Sequence, residues 1–296
     1  MRIAGGLLAL LLGLASTATL GQVDAREIIR TAVAADERNW RIARNYTFVQ
    51  RVELRRLDAQ GKVKLSEAKT YDVTLQEGTP YRRLMQRDDR PLLPAEEKRE
   101  QESLAISIAA RRQETEAERA KRLSTYERRP DWQREVWHEL PDAFDFRLVG
   151  DGMLDGRNIF IIEALPRQGY RPRSRAAKLF RSLNVRFWVD QQDRQIVKAE
   201  AEVTDTVSLG LFLFRVAKGS HGSLELTCVS GGIWLPDQLL VFASVRLGLV
   251  KALRIEQRVH YSRYDGVPAD ARTSYQAEGR DAHSARLNRF AKAASR

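Results

Sequence analysis

The sequence predicts an α+β protein that is mainly antiparallel β, built around one large and strongly curved sheet. Short apolar segments with turn-like breaks recur from residue 46 to residue 264 and give about eleven strands. Two stretches, 24–44 and 95–129, have the composition of helices. A sheet of so many strands curls, and its apolar face needs cover.

The chain begins with the features of a secretory signal peptide. Arg2 supplies a positive charge, the uncharged run Ile3–Leu14 is rich in leucine, and the small residues Ala15–Ala18 follow. An uncleaved anchor is the alternative, but a membrane span needs roughly 20 apolar residues and this run is shorter. We therefore expect cleavage after Ala18, with residues 1–18 as the signal, and a soluble mature protein in a bacterial periplasm.

Charge and cysteine content narrow the class of protein further. The formal net charge is +11, and removal of the signal lowers it by one because Arg2 is lost. A protein with such a charge often binds nucleic acid. Export favours two other roles for the charge, which are attraction to an anionic membrane surface or simply solubility. The lone Cys228 excludes an internal disulfide, and its alternation with Leu224 and Leu226 indicates a small buried side chain.

The first helix is predicted over Asp24–Arg44, with Asp24 as its N-cap. A helical insertion is expected at 94–139, whose charged part, 95–129, lacks Gly and Pro and predicts one long solvated helix or a helical pair. Its end carries Trp132 and Trp137, which with the first helix are candidates to cover the sheet. One domain is predicted over 19–268, followed by a mobile polar tail at 269–296.

The strands fall in two groups. Three are predicted between Tyr46 and Gln86, with breaks at 58–61 and 78–80. Eight more follow the insertion: Phe144–Val149, Asn158–Leu165, Leu183–Val189, Gln195–Thr206, Leu209–Val216, Ser223–Val229, Ile233–Leu247 and Leu253–Tyr264.

The sequence contains no recognisable catalytic motif. Its four histidines, His138, His221, His260 and His283, do not pair at metal-ligand spacing, and neither a nucleophile elbow nor a phosphate-binding loop occurs. We therefore expect a non-enzyme without metal or cofactor, and keep an envelope hydrolase with an unrecognised site as the less favoured alternative.

An excess of apolar residues on the strands is the first candidate site. A concave sheet lined in this way can hold an acyl chain, although an ordinary core under a helix gives the same pattern. The candidate cavity residues are Phe48, Val52, Leu54, Val185, Phe187, Val189, Phe212 and Phe214.

A basic stretch is the second candidate site. No acidic residue lies between Glu163 and Asp190. Basic residues near an anionic membrane each contribute about 1 kcal/mol, whereas the alternative is a solvated loop between strands. The candidate contacts with an anionic surface are Arg167, Arg171, Arg173, Arg175, Lys178 and Arg181.

Four segments in order resemble the periplasmic outer-membrane lipoprotein carrier and lipoprotein-sorting superfamily. They are Phe48-Val-Gln-Arg-Val52 after the first helix, Pro80-Tyr-Arg82, the hairpin Val185–Asp190 with Ile196–Glu200, and Tyr261-Ser-Arg-Tyr264. The resemblance implies an incomplete barrel, or half-barrel, with helices as a lid over an apolar concavity that binds acyl chains of lipoproteins or related lipids. It also implies a lipid or acylated protein as partner, without nucleic acid.

The chain departs from the carriers in two places. Thr79 stands where they have an Arg directly before the Pro, and the segment 95–129 replaces a short strand hairpin. The resemblance therefore implies generic binding or transport of a hydrophobic ligand. An envelope-stress sensor, or a protein-binding module that docks a partner through 95–129, is the alternative on the same fold.

Overall fold

A computed structural model describes residues 24–128, 130–209, 214–229, 231–247 and 251–266. The predicted signal peptide at 1–18, the predicted tail at 269–296 and Phe212 lie outside the described residues. Phe214 is described in its backbone only.

Four α-helices and one 3-10 helix occur in this part of the chain. They are α1 (Ala25–Ala43), α2 (Pro94–Arg112), α3 (Glu116–Glu127), α4 (Asp131–Ala143) and the 3-10 helix Ala176–Ser182. As predicted, Asp24 caps α1 by accepting a hydrogen bond from the Arg26 backbone N–H, at 2.9 Å. The charged insertion is a helical pair, because Thr115 starts α3 with a capping box to Glu118.

Thirteen strands form the sheet within the described residues. They are β1 (Tyr46–Leu57), β2 (Val63–Gln76), β3 (Thr79–Arg87), β4 (Arg90–Pro91), β5 (Phe144–Leu154), β6 (Arg157–Pro166), β7 (Leu183–Asp190), β8 (Ile196–Val203), β9 (Val207–Leu209), β10 (Phe214–Val216), β11 (His221–Val229), β12 (Ile233–Leu247) and β13 (Lys251–Gly266). The predicted strand Leu209–Val216 corresponds to parts of β9 and β10, with residues 210–213 outside the described residues.

The strand order shows an open antiparallel sheet. It runs β4-β3-β2-β1-β13-β12-β11-β8-β7-β6-β5, and β9 and β10 extend it beside β12. The two end strands, β4 and β5, do not pair with each other among the described residues, so the barrel stays incomplete. The fold class predicted from the sequence is therefore confirmed.

Helix α1 crosses one half of the sheet. It packs against both β5 and β12, which are five steps apart in the strand order. At about 4.8 Å per step these strands would lie about 24 Å apart in a flat sheet. A helix of 19 residues is about 28 Å long, so α1 lies across these strands, and we call the face of the curved sheet towards α1 the concave face.

Side chains fix α1 at both ends of this span. Near its start, Arg26 donates to the backbone oxygens of Pro141 and, at 3.0 Å, Phe144. Near its end, the Asn39 amide donates to the Trp234 carbonyl at 2.7 Å and accepts from the Trp234 N–H at 2.9 Å. The helix is thereby held across the concave side of the sheet.

The main core lies between α1 and the strands β5 to β8. Ile29, Phe144 and Ile162 are fully buried there, and Phe144 packs against Phe180 of the 3-10 helix with ring centroids 5.1 Å apart. Trp137 of α4 packs against the same core, as the aromatic segment predicted. Burial of this apolar surface is the main stabilising contribution to this half of the sheet.

Replacement of Asn39 by alanine is expected to lower the free energy of unfolding by about 1 to 3 kcal/mol, because two partly buried backbone groups of Trp234 lose their partners. Urea denaturation followed by circular dichroism measures the change. Arg38→Ala, on the exposed side of the same helix turn, is the control and should be near neutral. Equal stability of the two variants would show that Asn39 does not hold α1 on β12.

Candidate functional site

One row of directly paired residues runs across the concave face. Paired residues on neighbouring strands present their side chains on the same face, so a register defines which residues share it. The row from β7 to β1 is Phe187, Ala199, Leu224, Leu239, Val259 and Val52. The next row is Val185, Ala201, Gly222, Val241, Gln257 and Leu54. Candidates on β7 and β1 therefore lie on one face.

The structure places the β7 candidates in the filled core. Val185, Phe187 and Val189 are 8%, 3% and 0% exposed, beneath α1 and its neighbours. Their side chains are in contact with other side chains of the core, so they support the site rather than line a free surface. These three residues therefore form part of an ordinary core under a helix.

The β1 candidates have different surroundings. Phe48, Val52 and Leu54 are partly exposed, and with Leu239, Val241 and Ile255 they form what we call the open apolar face. The main contacts of α1 with the sheet end at β12, and α2 and α3 pack against β3. The open apolar face therefore continues the concave side beyond the core.

Helix α2 lies on the other side of the sheet at its β3 edge. Arg83 pairs in register with Asp72, and Asp72 pairs with Val49, which points away from the face that carries Phe48. The Arg83 guanidinium forms an ion pair with Glu97 of α2. Helix α2 therefore flanks the sheet from the other side and does not cover the concave face at this edge.

The turn between β2 and β3, where Thr79 departs from the carrier pattern, is held by two arginines of the insertion. Arg111 of α2 donates to the carbonyls of Gln76 and Thr79, at 2.7 and 3.1 Å. Arg122 of α3 donates to the Glu77 carbonyl and the Thr79 hydroxyl, both at 2.9 Å. The insertion thus supplies guanidinium groups at the turn that has no arginine before its proline.

Aromatic rings lie at one end of the open apolar face. The Phe48 ring is 5.7 Å from both Tyr261 and Tyr264, measured between centroids. The Tyr264 hydroxyl donates to the Pro236 carbonyl, and burial raises the pKa of that hydroxyl, so it stays protonated. The packing of these three rings holds this end of the open apolar face in place.

Two cavities in the described part of the chain are small. One, of about 130 Å³, lies beside Arg157 and Trp234; the other, of about 160 Å³, lies between the ends of α1 and α3, beside Arg44 and Tyr126. Pockets for small molecules usually measure about 300 to 1,000 Å³. Neither of these two cavities is large enough for a long hydrophobic ligand.

Asp190, at the end of β7 in the hairpin that resembles the lipoprotein-sorting superfamily, has a structural role. Its buried carboxylate accepts from Arg157 at 2.6 and 3.1 Å and from the backbone N–H groups of Gln192 and Asp193 at 2.9 and 2.6 Å. Burial alone would raise its pKa, but Arg157 and these donors outweigh burial and hold the pKa below its usual range. Asp190 therefore closes the β7–β8 turn in its ionised form.

The basic candidates separate into two sets. Arg167 pairs with Asp145 at 3.0 Å, and Arg173 pairs with Asp142 at 3.1 Å. The other four are exposed and have no carboxylate within 4.0 Å among the described residues: Arg171, Arg175, Lys178 and Arg181. Sequence reasoning could not make this separation, because the acidic partners lie 22 and 31 residues away.

The described histidines lie on different elements. His221 stacks on Phe242 with centroids 5.1 Å apart, His260 is 4.0 Å from Asp237, and His138 is on α4. His283 is outside the described residues. Within the described ranges there is no group of three or more His, Cys, Asp or Glu side chains placed to hold a metal ion. None of the helices described is long and apolar enough to cross a membrane.

No family model and no curated protein matches this chain. Solved structures do. A DUF1329 family protein from Desulfovibrio piger is 13% identical, with a TM-score of 0.33, over 84% of this chain and 97% of its own. A domain assigned to outer membrane lipoprotein sorting, from Vibrio parahaemolyticus, is 10% identical, with a TM-score of 0.33, over 83% and 97%.

A LolA superfamily protein from Nitrosomonas europaea is 12% identical, with a TM-score of 0.29, over 84% of this chain and 97% of its own.

Proposed function

We propose that this protein binds a hydrophobic ligand, a lipid or the acyl chain of a lipoprotein, along its open apolar face. The observation that carries the proposal is the paired row Leu224, Leu239, Val259 and Val52, which stays apolar over four strands beyond the main core. Val259 is buried within this row, and the other three side chains are partly exposed. The function is binding and shielding, without covalent chemistry. The export signal predicted from the sequence supports a periplasmic location for it.

The size of the face suits part of an acyl chain. The row from Leu224 to Val52 crosses three strand intervals, about 14 Å at about 4.8 Å each. Each buried methylene contributes about 0.8 kcal/mol, so ten would contribute about 8 kcal/mol before the entropic cost of binding. An open face covers only one side of the chain, so about 8 kcal/mol is the upper value of this contribution.

The row ends at charged residues. Beyond Val52 the register reaches Lys69 on β2, and Lys69 pairs with Glu67 at 2.8 Å. Glu67 is itself the partner of Leu54 in the next row. An acyl chain on the open apolar face would therefore have its polar end near this ion pair, where both charged and apolar groups are available.

We expect the double variant Val52→Gln/Leu54→Gln to bind a fluorescent fatty acid roughly 10- to 100-fold more weakly than the unchanged protein, because two apolar contacts are lost. Fluorescence titration and native mass spectrometry after incubation with the fatty acid measure the binding. The matched control is Arg51→Gln/Arg55→Gln, at alternate positions of β1 that point to the opposite face.

The control should bind as the unchanged protein does. Equal losses in both double variants, or no uptake of the fatty acid by the unchanged protein, would contradict the proposal. The second result would favour the partner-binding module as the function of this fold.

A further inference from the structure

The 3-10 helix Ala176–Ser182 has a period of three in its sequence. Arg175, Lys178 and Arg181 recur at every third position from the N-cap to the last turn. In a 3-10 helix the side chains at i and i+3 eclipse each other, with a rise of about 2 Å per residue. The three cations therefore form a straight row on one side, about 6 Å apart. We call this row the cationic stripe.

The opposite side of the same helix is fixed in the core. Ala177 and Phe180 are 0% and 6% exposed and belong to the cluster beneath α1. The preceding loop is held as well, because the Glu139 carboxylate accepts hydrogen bonds from the Tyr170 hydroxyl and the Arg173 backbone N–H. The stripe is therefore a preorganised surface feature rather than a set of cations on a free loop.

The chain does not neutralise the stripe within its described residues. Its three side chains and the nearby Arg171 are exposed and have no carboxylate within 4.0 Å. Other basic residues of the same acid-free stretch are paired, as in Arg186 with Glu163 at 2.7 Å. Like charges in such a row repel one another, so a row of external anions would stabilise it.

We propose that the cationic stripe docks the protein on the surface of an anionic phospholipid bilayer. A bilayer offers many phosphates side by side, which matches a straight row of exposed cations without a pocket for a single anion. Nucleic acid is less well matched, since recognition of single strands uses exposed aromatic rings and Tyr170 is instead tied to Glu139. This inference is independent of ligand binding on the open apolar face.

The experiment is co-sedimentation of the purified protein with vesicles of phosphatidylglycerol and phosphatidylcholine, and with vesicles of phosphatidylcholine alone. We expect Arg175→Gln/Lys178→Gln/Arg181→Gln to lower partitioning onto the anionic vesicles on the order of 100-fold at low salt. About 1 M salt, where the screening length is about 3 Å, should abolish binding of the unchanged protein.

A matched triple variant separates position from net charge. Arg90→Gln/Arg99→Gln/Lys121→Gln removes the same three charges from exposed sites on β4, α2 and α3, and should change partitioning only slightly. Equal losses in both triple variants would assign binding to net charge and overturn the proposal. Retained partitioning in the stripe variant, or equal binding to both kinds of vesicle, would also overturn it.

Two further measurements keep the result unambiguous. Thermal melting should show both triple variants folded, since every replaced side chain is exposed. The stripe variant should still take up the fluorescent fatty acid, so the two proposals fail separately. Stripe-dependent binding of single-stranded DNA without binding to vesicles would overturn the membrane as partner in favour of nucleic acid.

Discussion

Phe187→Ala is expected to lower the free energy of unfolding by about 3 to 5 kcal/mol. The Phe187 side chain is 3% exposed and packs in the core between β7 and α1. Truncation leaves a cavity that the neighbouring strands cannot fill, because Ile162 and Ala199 are its paired neighbours within the sheet. Urea denaturation followed by tryptophan fluorescence and by circular dichroism measures the loss.

Val52→Ala provides the comparison within the same row. Val52 lies at the open end and is only partly buried, so its truncation should cost about 1 kcal/mol or less. The ratio of the two losses tests the division of the concave face into a filled core and an open face. Similar losses for both variants would mean that the β1 end is also filled.

Asp190→Asn is expected to cost about 3 kcal/mol at neutral pH. The change removes one of the two carboxylates that pair with Arg157, leaving Asp193 at 2.6 Å, and weakens the hydrogen bonds that close the β7–β8 turn. We expect a loss of free energy at the low end of the range for buried ion pairs, because the Arg157 side chain is 29% exposed. Glu163→Gln, which breaks exposed ion pairs with Arg147 and Arg186, should change stability little.

The same pair predicts a dependence of stability on pH. The pKa of Asp190 is lower in the folded protein than in the unfolded chain, where it is about 3.9. Its contribution is therefore fully present above about pH 4 and is lost as the pH falls through the folded value. Urea midpoints measured between neutral and acidic pH should fall more steeply for the unchanged protein than for Asp190→Asn. Parallel curves would contradict this role.

The order of elements could be predicted from the sequence because each depends on local patterns. Alternation of apolar residues marks β7 and β8, and the polar turn between Asp190 and Asp193 separates them. Thr115 and Glu118 provide the local signal that divides the charged insertion into two helices. Such patterns involve residues that are close in the sequence, so they can be recognised without a structure.

The division of the concave face could not be predicted, since it depends on contacts between distant residues. Phe187 and Val52 alternate in the same way along their strands, yet only Phe187 lies under α1. Irregular pairings, such as the shift between Trp188 and Val189, also change which positions share a face. The cationic stripe could not be predicted either. Its three residues share one side only in a 3-10 helix, and the sequence does not show which type of helix forms there.

The pairing of β1 with β13 has a consequence for how the chain acquires its structure. Val52 of β1 pairs with Val259 of β13. The early strand β1 can therefore complete its pairing only after β13 has been synthesised. Contacts between such distant residues give a high contact order, which slows folding to milliseconds or longer in β-rich domains. We therefore expect the apolar side of β1 to stay accessible until β13 has been synthesised, and the sheet to be completed only then.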